Sequence, residues 1–104
     1  MLSFYLANFF TGMFLCNCIP HLCAGLRGEP FPSPFAKPPG KGLSSPLVNF
    51  LWGTLNLLLA IALMLYAPIP LGIHTGTLLL LAGWLLLGCW MSRRFGKVRA
   101  QRND

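Results

Sequence analysis

The sequence predicts an all-α fold, an integral membrane three-helix bundle, and three observations carry this prediction. Apolar residues make up 55% of the 104-residue chain and charged residues only 10%, whereas about 25% of an ordinary soluble protein is charged. Three long segments contain no charged side chain, and the cations cluster beside these segments. We therefore predict a single membrane domain over residues 1–104, with helices at about residues 2–24, 47–66 and 71–91.

The first segment, residues 2–24, is apolar but contains scattered polar residues. We expect its helix to end at a break at Pro20 and His21, because proline lacks the amide that a helix interior needs. The alternative is a cleaved signal peptide, which requires a basic N-terminal region and a small-residue cleavage site. The first side-chain cation is Arg27, after the apolar run. An uncleaved helix therefore fits the sequence better.

The segment between the first two helices, residues 28–46, is rich in proline and cannot form a helix. It contains Pro30, Pro32, Pro34, Pro38, Pro39 and Pro46. Ser44 or Ser45, followed by Pro46, is typical of a helix N-cap and first turn. We interpret the segment as a stiff connector, with a strip that binds a protein partner as the alternative.

The second and third segments are the clearest membrane spans. Each has twenty residues and eight leucines, and a twenty-residue helix is roughly 30 Å long, which matches the hydrocarbon core of a bilayer. Only residues 67–70, Ala-Pro-Ile-Pro, separate them. Such a short turn predicts that these two helices form an antiparallel hairpin.

The distribution of the cations predicts the orientation in the membrane. Lysine and arginine concentrate on cytoplasmic flanks, and here they occupy the 28–46 loop, its edge at Arg27, and the basic tail, residues 92–104. We expect the loop and the tail to be cytoplasmic, with the N-terminus out and the C-terminus in. The tail is predicted to bind anionic lipid headgroups. No nucleic acid partner is expected, because the cations form no basic face on a folded domain.

Small and amide side chains recur along one face of the second helix, with matching glycines at the third. Asn49, Gly53 and Asn56 share one face at helical spacing. The third segment offers Gly72, Gly76 and Gly83. Amides left in lipid would be unsatisfied, so these residues are predicted to pack helix against helix. The pattern does not distinguish a neighbour in the same chain from one in another protein.

Three cysteines and a histidine near the end of the first segment are weak candidates for a metal site: Cys16, Cys18, His21 and Cys23. On a helix, Cys16 and Cys18 point about 200° apart, so they could share a metal only if Pro20 breaks the helix. We predict free thiols, no metal and no cofactor. His21 is a candidate functional residue, because ionisable groups within a membrane are often functional. Asn17 and Pro20, which lie beside it in the sequence, are candidates with it.

No catalytic arrangement is visible in the sequence. The only acidic side chains, Glu29 and Asp104, lie outside the apolar segments, and no nucleophile or phosphate-binding motif occurs. We therefore expect that the protein is not an enzyme.

About half of the chain resembles a group of small multi-pass bacterial membrane proteins of unknown function. The resemblance lies in the pattern N-x2-P-H at residues 17–21, in Gly25 and Gly28, in Pro34-Phe35, and in L-S-S-P-L-V-N-x-L-W-G at residues 43–53 with Asn56. It implies a multi-pass topology in the bacterial cytoplasmic (inner) membrane and carries no established activity.

The polar stripe on the second helix suggests a role in assembly. We expect an accessory or scaffold subunit that packs against another membrane protein through Asn49, Gly53 and Asn56. The alternative is a self-assembling pore or small-solute carrier, because short helical chains can form a pathway by oligomerising.

Overall fold

A computed structural model of the chain describes residues 1–102 and contains three helices. They are α1 (Leu2–Leu26), α2 (Pro46–Tyr66) and α3 (Thr75–Gln101). Each is long and apolar enough to cross a membrane. Within the described residues the only strand-like pairing is one isolated bridge between Phe31 and Ser44. The predicted all-α, three-helix fold is confirmed. Residues 103–104 of the predicted tail lie outside the described residues.

Helix α1 lies at the centre and packs against both other helices. It runs antiparallel to α2, with Gly25 beside Pro46 and Asn17 bonded to Asn56, and parallel to α3, with Gly12 beside Leu80. No Cα atom of α2 lies within 8 Å of a Cα atom of α3. The second and third helices therefore run antiparallel, as predicted, but they do not pack closely as a hairpin, because each packs on α1.

The connector between α2 and α3 explains this arrangement. Helix α3 begins at Thr75 rather than at residue 71, so the connector is residues 67–74 and not the predicted four-residue turn. Four residues span at most about 14 Å and eight span about 28 Å, while neighbouring helices are about 8–10 Å apart. The longer connector can cross the end of α1. Accordingly, the Tyr66 ring at its start packs on Phe4 of α1, with ring centroids 5.5 Å apart.

Helix α1 continues through Pro20 to Leu26, so the predicted break at Pro20 and His21 is wrong. Proline removes only one amide donor, and helices in membranes tolerate it where neighbouring helices hold both halves in place. Here α2 holds the following turns, since the backbone of Gly25 lies against that of Phe50, and α3 holds the preceding turn, where Cys16 meets Gly88.

Helix α3 extends ten residues beyond its predicted end at residue 91. Arginine, lysine and glutamine are good helix formers, so a cationic sequence can continue a membrane helix into water. The extension also has a packing partner in the Pro-rich loop. Phe31 and Phe95 are 5.0 Å apart between ring centroids, Val98 is buried, and the Arg102 guanidinium donates to the Lys41 carbonyl. Most of the predicted tail is therefore helical, and the face that carries Phe95 and Val98 packs against the loop.

The contact between α1 and α3 offers a direct test of the central position of α1. A Cβ atom built on Gly88 lies 3.3 Å from the Cys16 sulfur, so a sulfur carried by that Cβ can come within the S–S bond length of about 2.05 Å. We expect the Gly88→Cys variant to form an intrachain disulfide with Cys16 under mild oxidation. After trypsin cleavage in the loop, the two fragments should stay joined on a non-reducing gel. The Cys16→Ser, Gly88→Cys variant is the control, and fragments that separate without reductant would contradict the parallel packing.

Candidate functional site

A buried polar cluster lies where α1, α2 and the Pro-rich loop meet; we call it the His21 cluster, formed by His21, Asn49, Asn17 and Asn56. His21 is 2% exposed and Asn49 is fully buried. His21 Nδ1 lies 2.7 Å from Asn49 Oδ1. The cluster thus joins the first two helices through side chains that are 28 residues apart in sequence.

The hydrogen bonds of Asn49 determine the tautomer of His21. Its amide nitrogen donates toward the carbonyl oxygens of Phe31, Ser44 and Ser45, at 3.0, 3.2 and 3.1 Å. The amide oxygen is therefore the atom that faces the imidazole, and it can only accept. In neutral His21, Nδ1 carries the proton and Nε2 holds a free lone pair.

The second half of the His21 cluster lies deeper between the helices. Asn17 donates its amide to Asn56 Oδ1 at 2.9 Å, and Asn56 donates to the Trp52 carbonyl at 2.8 Å. Gly53 lies between the two asparagines of α2, and a Cβ there would lie 2.9 Å from the Leu22 backbone nitrogen. The stripe of α2 therefore packs on α1 of the same chain. Our expectation that this stripe is the surface for a partner is wrong, because α1 and the loop cover it.

The Pro-rich loop folds over the cluster through two serines. Ser33 and Ser44 are buried, with their hydroxyl oxygens 2.6 Å apart. Ser45 is the N-cap of α2 and accepts a hydrogen bond from the Val48 amide at 3.1 Å. The ring centroids of Phe35 and Trp52 are 5.2 Å apart, and the two ring planes are nearly perpendicular. The Ser33–Ser44 bond thus closes the loop on itself, and Ser45 and Phe35 attach the loop to α2.

A cavity of about 350 Å³ lies beside the His21 cluster, between α2 and α3 and under the loop. All three helices and the loop contribute to its lining. The walls are mainly apolar and aromatic, with Trp52, Leu87, Trp90, Met91 and Phe95 among them. The polar side chains in the lining are Asn17, His21, Ser33 and Arg94. An apolar cavity with a few placed polar groups has the character of a small-molecule site.

The charges near the cavity are unbalanced. Within residues 1–102 the only carboxylate side chain is Glu29, and Arg27 Nε donates to it at 2.7 Å. The hydrogen bond and charge of Arg27 hold the pKa of Glu29 below its ordinary value. Arg94, in contrast, forms no ion pair with any described residue. The cavity therefore has a cation at its edge, and no carboxylate of residues 1–102 pairs with it.

The four weak metal candidates are not brought together. All four cysteines of the chain are free. Cys16 faces Gly88 of α3, Cys18 is buried and donates to the Leu15 carbonyl, and Cys23 is exposed. Because α1 stays helical through Pro20, these side chains keep their divergent directions. The residues that the structure describes contain no group of three potential ligands placed to hold a metal.

The glycines predicted for α3 differ in their surroundings. Gly83 meets the Phe9 backbone, and Gly76 lies against the Asn8 amide. Gly72 is exposed in the connector, with φ at +106°, so its predicted role in helix packing is wrong. Its left-handed conformation makes the turn before α3.

Sequence reasoning missed the participation of Ser33 and Arg94 in the site. The sequence offers one weak indication for Arg94: it follows Trp90 by one helical turn, and tryptophan with a nearby arginine is typical of a membrane interface. It offers none for Ser33, because serine between prolines is also common in exposed loops.

Comparisons with protein-family models, with curated proteins and with solved structures find no match for the chain. The resemblance to small bacterial membrane proteins therefore stays a prediction. The fold and the site define a small multi-pass membrane protein with a buried polar cluster and an adjoining cavity.

Proposed function

We propose that the protein is a non-enzymatic accessory or scaffold subunit that packs against another protein in the bacterial cytoplasmic membrane. The observation that carries this proposal is the open arrangement of the helices. Both α2 and α3 pack on α1, no Cα atom of α2 lies within 8 Å of one of α3, and each helix keeps a row of exposed apolar side chains. Helix α3 is the least covered, with 17% of its spanning window buried in the chain.

Uncovered faces of this kind suit contact with other helices. Packing between membrane helices depends on shape and van der Waals contact, since lipid is as apolar as the side chains. Asn17 and His21 of α1 are bonded to Asn56 and Asn49 of α2, respectively, which holds these two helices in a fixed relation. A rigid pair with a third helix beside it can present one constant surface to a partner.

The alternative, a pore or small-solute carrier, has less support. It requires polar side chains that line a shared pathway. Asn49 and Asn56, the two asparagines of α2, already bond to α1 and are almost fully buried within the chain.

The orientation belongs to the proposal. The Pro-rich loop and the basic extension of α3 lie at one end of the molecule, because they pack on each other. With this end cytoplasmic, the N-terminus is outside, as the positive-inside rule requires. Cations of the extension then reach anionic lipid headgroups, at about 1 kcal/mol each near the surface.

Co-purification from native membranes tests the proposal. We expect a tagged chain, extracted in mild detergent, to retain one membrane protein at constant stoichiometry. Tryptophan at Leu81 and Leu85, on the uncovered face of α3, should abolish this retention by disturbing the contact surface. Tryptophan at Leu51 and Leu55, equally exposed on α2, is the matched control and should preserve it.

Two results would overturn the proposal. A chain that leaves the membrane as a monomer has no partner, and a homo-oligomer would instead favour the pore alternative. In the second case, ion or solute flux into liposomes becomes the decisive measurement.

A further inference from the structure

We propose that the cavity beside the His21 cluster binds the headgroup of an anionic amphiphile from the bilayer, with its acidic group at Arg94 and its chain along α3. This ligand site goes beyond the accessory role, because it does not depend on any protein partner. The shared chemistry is a carboxylate or phosphate attached to an apolar chain.

The first argument is that one ring nitrogen of His21 has no hydrogen-bond partner among the described residues. The His21 residue is only 2% exposed, and it lines the cavity. Asn49 occupies its Nδ1, and Nε2 has no partner among the described residues. The Nε2 atom is not sealed inside the protein, unlike the Trp52 indole nitrogen, so its lone pair is open to accept from a ligand in the cavity. A hydroxyl group next to the acidic group, or a water held by it, supplies a donor.

The second argument is the indole of Trp52, which also lines the cavity. Its Nε1–H is buried and has no acceptor within residues 1–102. Buried indole N–H groups usually find a hydrogen-bond partner. Two side chains beside the same cavity, one a donor and one an acceptor, are therefore incompletely satisfied by the chain itself.

The third argument is charge. Arg94 lines the cavity and has no ion-pair partner in the described part of the chain, and the single described carboxylate is bonded to Arg27. A guanidinium matches carboxylate and phosphate oxygens in a two-pronged geometry. The ligand must therefore bring the negative charge, which favours an anionic headgroup over a neutral one.

The fourth argument is the position of the cavity relative to the apolar surface of α3. Trp90 lies one turn before Arg94 and is 59% exposed, and Leu87 lies one turn earlier still. Tryptophan at an interface marks the headgroup level, with arginine on its aqueous side. A ligand bound at Arg94 can thus extend its chain past Trp90 into lipid, through the space that α2 and α3 leave between them.

Quenching of tryptophan fluorescence by brominated amphiphiles tests the site on the purified full chain in a neutral detergent. The probes are dibromostearate for a carboxylate, brominated phosphatidylglycerol for an anionic phosphate, and brominated phosphatidylcholine as the zwitterionic comparison. Trp52 and Trp90 line the cavity and report binding. We expect saturable quenching by at least one anionic probe and none by the zwitterionic one.

Substitution of the cation provides the decisive comparison. Arg94→Gln should weaken binding about tenfold, equivalent to about 1.4 kcal/mol. Arg93→Gln, at the adjacent exposed arginine outside the cavity lining, should leave binding within twofold. Arg94→Lys keeps the positive charge but not the two-pronged geometry, so it should bind more weakly than the natural chain and more tightly than Arg94→Gln; it serves as the test variant if the glutamine variant melts at a lower temperature.

Each outcome bears on the proposal. Saturable binding of dibromostearate alone identifies a fatty-acid carboxylate, and of the phosphatidylglycerol alone a phospholipid phosphate. Non-saturable quenching by every probe would overturn the site, as would an equal loss in the Arg93 and Arg94 variants. These results are independent of co-purification, so the accessory role and the ligand site can fail separately.

Discussion

Replacing Gly83 with alanine is expected to separate α3 from α1. A Cβ atom at this position would lie 2.1 Å from the Phe9 carbonyl oxygen, and Cβ contacts under 3.0 Å essentially never occur. The obstructing atom belongs to the helix backbone, which cannot rotate away as a side chain can. The two helices must therefore move apart by about 1 Å, and we expect a loss of about 3 kcal/mol in the free energy of unfolding, at the upper end of the range for overpacking.

Unfolding in mixed detergent, followed by circular dichroism, measures this effect. Gly12→Ala should act in the same way, because its Cβ would lie 1.9 Å from the Leu80 carbonyl oxygen. Gly96→Ala is the matched control in the same helix as Gly83, with no atom within 4 Å of the new carbon. It should stabilise the protein by up to about 1 kcal/mol through helix propensity. Equal effects at positions 83 and 96 would show that α1 and α3 do not approach as described.

Replacing Asn49 with leucine is expected to release the Pro-rich loop and weaken the contact between α1 and α2. The substitution removes the acceptor of His21 and the donor to three carbonyl groups of the loop and helix start. Buried groups left without partners cost about 1–3 kcal/mol each. We expect the free energy of unfolding to fall by about 3 kcal/mol, and trypsin to cleave faster after Lys41 in the loop.

A double-mutant cycle with His21→Phe separates the two roles of Asn49. If the imidazole and the amide are coupled, the double variant should be more stable than the sum of the single effects predicts, by about 1–2 kcal/mol. The remaining loss reports the three carbonyl bonds. Purely additive effects, or unchanged trypsin cleavage in Asn49→Leu, would contradict the hydrogen bonds assigned to Asn49.

The existence of the three helices could be predicted from the sequence, because runs of uncharged residues long enough to cross a bilayer have no other stable form there. Which helices pack against each other could not be predicted. The exposed side chains of α2 and of the membrane-spanning part of α3 are mainly apolar. Their sequences therefore do not indicate which helix each one packs against. The hairpin prediction rested on a four-residue turn, and Gly72 with the residues around it lengthened that turn.

The ends of α1 and α3 were misjudged for different reasons. Pro20 has a strong local preference against a helix interior, and contacts with both neighbouring helices override it. The basic end of α3 has no apolar run to reveal it, yet Phe95 and Val98 give the loop an apolar face to cover. Both features depend on tertiary packing that a local pattern does not contain.

The candidate site was only partly visible in the sequence. His21, Asn17, Asn49 and Asn56 were singled out as polar residues at membrane depth, and the structure pairs them across α1 and α2. Their pairing depends on the register of two helices separated by a 19-residue segment, which no spacing rule supplies. The cavity depends further on the separation of α2 and α3, whose Cα atoms stay more than 8 Å apart, and that separation follows from the central position of α1.

The central position of α1 also has a consequence for biogenesis. Chains leave the ribosome from the N-terminus, so α1 enters the bilayer before either helix that will cover it. His21 and Asn17 must wait in the translocon or in lipid until α2 emerges with their partners. Helix α3 is inserted last. It can pack on α1 after α1 and α2 have associated, because α2 and α3 use different faces of α1. The protein is thus expected to assemble stepwise around α1, the first helix to be inserted.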